Sequence, residues 1–599
     1  MIKRRTAKNI LFRLLFTLQL LFLFLPIAKS DGTITTTVPQ KMDPNNVFSL
    51  SEEDNIWVDS VVSKMPLYDK CTQIFMPAFF GKTLNQSSKE FKFAMELVKI
   101  HGIGGFVIST GEVEETALMI NRLQKNANIP LLVSGDFEHG IGMRIKATNT
   151  FPHNMAIGST FNSYFSSQTG KATALEALML GVNFNFAPVA DVNNNPRNPV
   201  INLRSFSEDK NLVTEFCKSY ISGSYEAGVI STAKHFPGHG NTNIDSHNEL
   251  PVIGGSKEYL MANEIKPFVD LIAEGVQAIM IGHLNVPAFD KDERLPASLS
   301  YNIITKLLKE KLGFKGLIIT DALDMKAVTN YFDEGESCVK AFNAGNDILL
   351  MPPNIREGIT AIYNAAKSGE IKIERLNESV KKILSAKRWL KLSTEKYKKT
   401  EIPKRIRLEE HYELSNQIAE NSITVVKANS DLFPIDSSKY FKTFLIDITN
   451  RKEMKDAHFS QIFHEKFSVY SHAMLTGESV NSDYKLALEI ARDCDLIIVP
   501  SYFYIRNGFN GKSISEEQYN FFQNLLSLNK KVVIISFENP YLLSNFPDAE
   551  NYICTYSDSK SSQRAALNVL SGSLIAKGKL PVSIPNTEYK VGYKWNSDS

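Results

Sequence analysis

Residues 278–321 carry the pattern on which the fold turns. Ala278-Ile279-Met280-Ile281-Gly282-His283 opens this stretch, Leu317-Ile318-Ile319-Thr320-Asp321 closes it, and a longer helical pattern lies between them. Both runs are apolar at successive positions instead of alternating, as expected for parallel strands covered by helices. Both also end on an ionisable residue. Working outward, the same unit recurs, with candidate strands at 73–79, 104–109, 130–135, 183–189, 230–235, 278–283, 317–321 and 347–351. Eight strand–helix units in roughly 320 residues predict a TIM-type (β/α)8 barrel enlarged by loops. A doubly wound open sheet is the alternative arrangement.

Beyond the barrel, residues 385–407 are rich in Lys and Arg and poor in strand signals, so they read as a helix end followed by a surface linker. A second α/β pattern follows, with candidate strands at 441–448, 496–500, 531–537 and 552–556. Gly578-Lys579-Leu580-Pro581-Val582-Ser583-Ile584-Pro585 looks like a turn entering a final strand. The predicted organisation is a signal peptide (1–30), a barrel (31–392), a linker (393–415) and a smaller α/β sandwich domain (416–599).

The first thirty residues contain Lys3, Arg4, Arg5, Lys8, Arg13 and Lys29 and no acid, and residues 14–27 are almost wholly apolar. Ala28-Lys29-Ser30 then offers small residues at the two positions a signal peptidase reads, the three-part layout of a secretory signal. The apolar run is short for a membrane span of ~20 residues. An exported protein, periplasmic or extracellular, with no span after cleavage is expected. Apolar residues make up 43% of the chain and charged residues 22%, which excludes a disordered or collagen-like chain. Lys and Arg number 67 against 65 Asp and Glu, and without the leader the acids slightly outnumber the bases. That balance gives no general attraction to nucleic acid or an anionic membrane. A monomer or weak oligomer is expected. Cys71, Cys217, Cys338, Cys494 and Cys554 are far apart and form no CxxC pair, so they read as buried small hydrophobes, with an isolated disulfide the other option.

In such a barrel, function gathers at the C-terminal ends of the strands. Those ends carry Asp136-Phe137-Glu138-His139-Gly140, Asp191-Val192-Asn193, His283 and Asp321. The densest is Lys234-His235-Phe236-Pro237-Gly238-His239-Gly240-Asn241-Thr242-Asn243-Ile244-Asp245-Ser246-His247. Two chemistries fit it: metal binding by His235, His239, Asp245 and His247, or acid/base work by a His–Asp pair on a loop. Gly238 and Gly240 would let that loop bend and move.

Lys-His-Phe-Pro-Gly-His-Gly followed by Asp-Ser-His resembles the signature of glycoside hydrolase family 3, and more narrowly of its bacterial β-N-acetylglucosaminidase branch. The resemblance covers roughly residues 50–390 and continues more weakly through 421–427 and 578–585. It implies a nucleophile at Asp321, in Thr320-Asp321-Ala322-Leu323-Asp324-Met325, where Ala322 replaces the second acid of the family pattern. It implies Asp245 and His247 as the acid/base dyad. It implies sugar binding by Asp136, Arg144, Arg204, Lys234 and His235, with His139 standing where the family's first Gly is usual. The implied activity is retaining hydrolysis of terminal β-linked N-acetylglucosamine, from peptidoglycan fragments or chitooligosaccharides, with no metal or cofactor. A β-glucosidase or a β-N-acetylglucosaminide phosphorylase is the alternative within the family.

Overall fold

The computed structural model describes residues 42–81, 88–393, 401–454, 457–504 and 514–596. The predicted signal peptide (1–30) lies outside them. The first apolar run of the barrel is split: β1 (Phe75–Met76) and β2 (Ala78–Gly81) are successive pieces of one strand, interrupted at Pro77. Proline has no N–H to give to a ladder, although the Pro77 carbonyl still accepts from Val107 N at 2.9 Å. β3 (Gly105–Gly111), β4 (Leu132–Gly135), β5 (Phe184–Asn185), β6 (Ile230–Phe236), β7 (Ala278–Ile281) and β8 (Leu317–Thr320) follow, all parallel and in sequence order from β2.

β9 (Leu349–Leu350) closes the ring. It pairs in parallel with β1, and the segment leading into it bonds to β8, with Asp347 N on the Ile318 carbonyl at 2.7 Å and Thr320 N on the Ile348 carbonyl at 3.1 Å. With β1 and β2 taken as one strand, the closed sheet has the eight strands expected. The strand expected at 183–189 reduces to two residues because Pro188 interrupts the ladder. Asn185 replaces the lost pairing, accepting from Phe137 N and donating to its carbonyl, both at 3.1 Å. Helices cover the outside, several of them N-capped: the Asn162 side chain accepts from Tyr164 N at the head of Ser163–Leu180, and Asp209 accepts from Asn211 N and Leu212 N at the head of Lys210–Ala227.

The second sheet contains β10 (Thr424–Lys427), β11 (Thr443–Thr449), β12 (Ser471–Leu475), β13 (Leu496–Tyr502), β14 (Lys531–Ser536) and β15 (Asn551–Cys554). Their order is β10-β15-β14-β13-β11-β12, and only β10 runs antiparallel to its neighbour. β11, β13, β14 and β15 match predicted strands. The edge strand β12 was not predicted; its partly exposed Ser471–Leu475 run lacks the continuous apolar character of its buried neighbours. Residues 578–585 do not form the final strand that was expected. Their backbone is taken up elsewhere: Gly578 N donates to the Ile423 carbonyl, Lys579 N to Ser159, and the Pro581 carbonyl accepts from Ser207 Oγ and Glu208 N.

The helix Glu409–Ser422 begins inside the segment read as linker (393–415), and residues 394–400 lie outside the described ones. It lies between barrel and second sheet, with His411 Nδ1 on the buried Glu176 at 2.7 Å. Met155, Ala156 and Leu203 from the barrel side join the apolar core of the second sheet. All five cysteines are buried and unpaired. Among the described residues no helix is long and apolar enough to cross a membrane.

Candidate active site

The ends of three strands, β4, β5 and β6, supply one network of charges. Lys234, the fifth residue of β6, is 2% exposed, and its ammonium lies 2.8 Å from Asp136 Oδ1 and 2.9 Å from Glu138 Oε1, both just past β4. Arg204, which ends the short 3-10 turn Asn202–Arg204, forks onto Glu138 with contacts of 2.7, 3.0 and 3.2 Å. Arg144 Nη2 reaches Asp136 Oδ2 at 3.4 Å. Burial alone would raise both carboxyls, but the facing cations more than reverse it: Lys234 and Arg144 hold Asp136 below the usual range, and Arg204 and Lys234 hold Glu138 well below it. Burial likewise disfavours the Lys234 charge, and the same two carboxylates restore it and raise its pKa. The site is therefore a network of charges, each compensated at short range.

Glu138 joins this network although sequence reasoning gave it no role. The available signal was its place two residues beyond Asp136 past the end of β4. Because Glu138 is 2% exposed, removing its charge strands Arg204. Glu138→Ala is expected to cost about 3 kcal/mol, the lower end for breaking a buried pair, since Lys234 keeps Asp136. Denaturant unfolding measures it, and a loss under ~1 kcal/mol would contradict this account.

Asp191 is the second residue whose role only the structure reveals. Fully buried after β5, it accepts from His235 Nδ1 at 2.7 Å, from His235 N at 3.2 Å and from His239 N at 2.6 Å. It orients His235 at the end of β6 and pins the start of the following loop. Gly240 also seats that loop: a Cβ there would lie 1.7 Å from the Val192 carbonyl oxygen, so only glycine permits the contact. Gly238, at φ +124°, does make a bend that favours glycine. Gly240 thus serves close packing, where the sequence suggested mobility.

Further along the loop, His247 Nδ1 sits 2.7 Å from Asp245 Oδ1, which also accepts from His247 N at 2.9 Å. The imidazole is 65% exposed and its partner carboxylate 22%. The Asp245 hydrogen bond raises the His247 pKa against the opposing effect of burial, and the Asp321 charge adds to the rise. Burial opposes the Asp245 charge, but His247 wins and holds its pKa down.

Asp321 follows directly on β8, with its N–H on the Ile281 carbonyl at 2.9 Å and its Oδ1 accepting from Ala322 N at 2.8 Å. Burial would raise its pKa; His235, His283, the Ala322 N–H and Lys234 outweigh that and lower it. His283, buried at the end of β7, has its Nε2 on the Ala322 carbonyl at 2.8 Å and its Nδ1 on Ser298 Oγ at 2.6 Å. Because a carbonyl only accepts, Nε2 carries the proton in this arrangement. Burial lowers the His283 pKa, which favours the neutral ring.

All eight residues picked from sequence thus lie at the C-terminal face of this one barrel. The proposed metal set does not converge. Among the described residues no three His, Cys, Asp or Glu side chains are arranged to hold a metal ion.

Residues 67–386 match the model of the glycosyl hydrolase family 3 N-terminal domain, more than half of the chain. The chain belongs to glycoside hydrolase family 3. It is 35% identical over 324 residues to the β-hexosaminidase A of Pseudoalteromonas piscicida, a match covering 49% of this chain and 54% of that relative. This chain therefore spans about half the length of that relative. A β-N-acetylglucosaminidase/β-glucosidase of Cellulomonas fimi is 26% identical over 557 residues, covering 89% of this chain and 97% of that one. The family 3 β-N-acetylglucosaminidase of Paenibacillus sp. str. FPU-7 superposes with a TM-score of 0.78 at 28% identity, over 87% of this chain and 100% of that structure. The family 3 architecture of barrel plus α/β sandwich is the one described above.

Proposed function

We propose that this glycoside hydrolase is a retaining β-N-acetylglucosaminidase that removes terminal β-linked N-acetylglucosamine through a covalent intermediate on Asp321. The observation that carries the reading is the His247–Asp245 pair, held on the loop after β6 at the same end of the barrel as Asp321. Asp321, kept ionised by His235, the Ala322 N–H and Lys234, attacks the anomeric carbon. The glycosidic bond breaks, and His247 gives its proton to the departing oxygen. Asp245 stabilises the imidazolium and orients the ring. In the second half His247 takes a proton from the attacking water, and the Asp321–sugar bond breaks. Asp136, Lys234 and His235 hold sugar hydroxyls, with Arg144 and Arg204 fixing the carboxylates around them.

The test is a comparison of aryl β-N-acetylglucosaminide with aryl β-glucoside under hydrolytic conditions. Faster release from the first supports the reading, and a preference for the glucoside overturns its substrate half. Sugar 1-phosphate formed only when phosphate is added would make the enzyme a phosphorylase. Trapping of a 2-fluoro sugar on Asp321 separates carboxylate attack from participation by the acetamido group.

A pH profile tests the dyad. His247 must be protonated to act as acid, so activity is present below its raised pKa and lost as pH rises through it. Asp321 must be ionised, so activity is lost as pH falls through its lowered pKa. Asp245→Asn removes the main cause of the raised value. The alkaline limb of kcat/KM is expected to move to lower pH while the acid limb stays in place. An unmoved alkaline limb counts against His247 as the titrating acid.

We further propose that the N-terminal segment directs export, so that the enzyme meets peptidoglycan fragments or chitooligosaccharides as a monomer or weak oligomer. Detection of the uncleaved chain in the cytosolic fraction alone would oppose the export reading.

A further inference from the structure

The turn after Asp191 reads Asn193-Asn194-Asn195-Pro196-Arg197-Asn198, and each of its four asparagines reaches outward. Asn193 Nδ2 donates to Tyr541 Oη of the second sheet's domain at 2.8 Å. Asn194 Nδ2 donates to the buried Glu264 at 2.8 Å. Asn198, fully buried, donates to the carbonyls of His239 and Gly240 at 2.9 and 2.7 Å, while its Oδ1 accepts from Val200 N and Ile201 N. Asn195 reaches furthest along the acid/base loop, donating to the Thr242 carbonyl at 3.2 Å and to Asn243 Oδ1 at 2.9 Å.

These contacts divide the loop into two parts. Up to Gly240 it is locked by Asp191, Asn198 and the close packing on Val192. Beyond Gly240 it rises toward solvent, and His247 is largely exposed. Two side-chain contacts tie that outer arm back: His239 to Ser246, and Asn195 to Thr242 and Asn243. Of these, the Asn195 contact is the one that comes from outside the loop among the described residues. A proton donor has to stay within hydrogen-bond reach of one oxygen, and a displacement near 1 Å can cost about 10²-fold.

We propose that Asn195 is a positioning residue for the acid/base histidine, holding the outer arm of its loop against a turn that Asn193 braces on the second domain. The proposal rests on His247 acting as the acid, and it gives the second domain a part in catalysis without a catalytic group of its own. Asn195 acts on His247 and Asp245 indirectly, through its hydrogen bonds to Thr242 and Asn243.

The experiment measures kcat/KM of the full-length enzyme on an alkyl and on a 2,4-dinitrophenyl β-N-acetylglucosaminide. It uses Asn195→Ala, Asn195→Asp and each of these combined with His247→Ala. Asn195→Asp keeps the oxygen that accepts from Arg197 N, and so keeps the turn while losing the donor. Both single variants are expected to lose about 10- to 100-fold on the alkyl substrate. On the dinitrophenyl substrate, whose leaving group needs little protonation, they should lose less than about twofold. In the His247→Ala background neither should cost anything further, because no imidazole is left to position. Equal losses on both substrates, an undiminished loss without His247, or no loss at all would overturn the proposal. If His247→Ala shows a leaving-group-dependent loss and Asn195→Ala does not, the clamp fails and the acid assignment stands. If His247→Ala shows none, the acid assignment fails and this proposal with it.

Discussion

Asp321→Ala is expected to abolish turnover on every substrate, by on the order of 10⁵-fold or more, the scale seen when a covalent nucleophile is deleted. The loss should be the same for good and poor leaving groups, because no protonation shortcut replaces the attacking carboxylate. Azide gives a second readout. With the carboxylate gone, the face of the sugar that Asp321 occupied is open to a small anion, and the product should be the α-glycosyl azide, inverted relative to a β-linked substrate. The substitution should leave the fold intact, because the buried ion pairs Arg204–Glu138, Lys234–Asp136 and Lys234–Glu138 are made without Asp321. Asp321→Asn, with nearly the same shape, should match Asp321→Ala in activity and the parent in unfolding midpoint. Residual activity above about 1% in a preparation free of parent enzyme would remove Asp321 from the nucleophile's role.

His247→Ala is the second large effect, and its size should depend on the substrate. General acid/base groups contribute about 10²–10⁴-fold, so oligosaccharides and alkyl glycosides should lose that much. Dinitrophenyl glycosides should lose little in the first step, because their leaving group departs without a proton. The second step, in which water needs a base, then becomes limiting, and the covalent intermediate should accumulate as a burst. Azide, which needs no base, should accelerate turnover and yield the β-glycosyl azide, since it attacks the intermediate from the side opposite Asp321. The contrast between the α and β products in the two variants assigns the two residues to opposite faces of the sugar. Equal losses across leaving groups, with no azide effect, would deny His247 the acid/base role. Its exposed setting makes the substitution a mild one for stability.

Much of the chemistry could be read from the sequence because it sits in runs with a simple physical grammar. Strand ends in a parallel barrel point to one face, so residues ending separate apolar runs, such as Lys234, His283 and Asp321, could be assembled in advance. The Asp245–His247 pair could also be read, because a carboxylate two residues before an imidazole can reach it locally. Glu138 and Asp191 were visible as polar residues without functions. Their partners, Arg204 and His235, lie 66 and 44 residues away, and nothing local identifies which of several acids meets which base. Spacing likewise places His235, His239 and His247 near one another in the chain, but it cannot show how the rings are aimed, and among the described residues no three such side chains are arranged to hold a metal ion.

By itself the sequence determined the barrel, the second α/β layer and the strand ends at which the chemistry gathers, because the periodicity of apolar residues is a local property of the chain. Only the tertiary structure decided that the run at 73–79 breaks at Pro77, with β1 pairing with β9 and β2 with β3. It also showed that residues 578–585 spend their backbone hydrogen bonds on the barrel and the second domain instead of a sheet edge. The division of labour among the buried charges around Lys234, and the asparagine turn that holds the acid/base loop, belong to that second class. They depend on which polar groups are left without water when distant segments pack, and each must then take the partner that packing brings within about 3 Å.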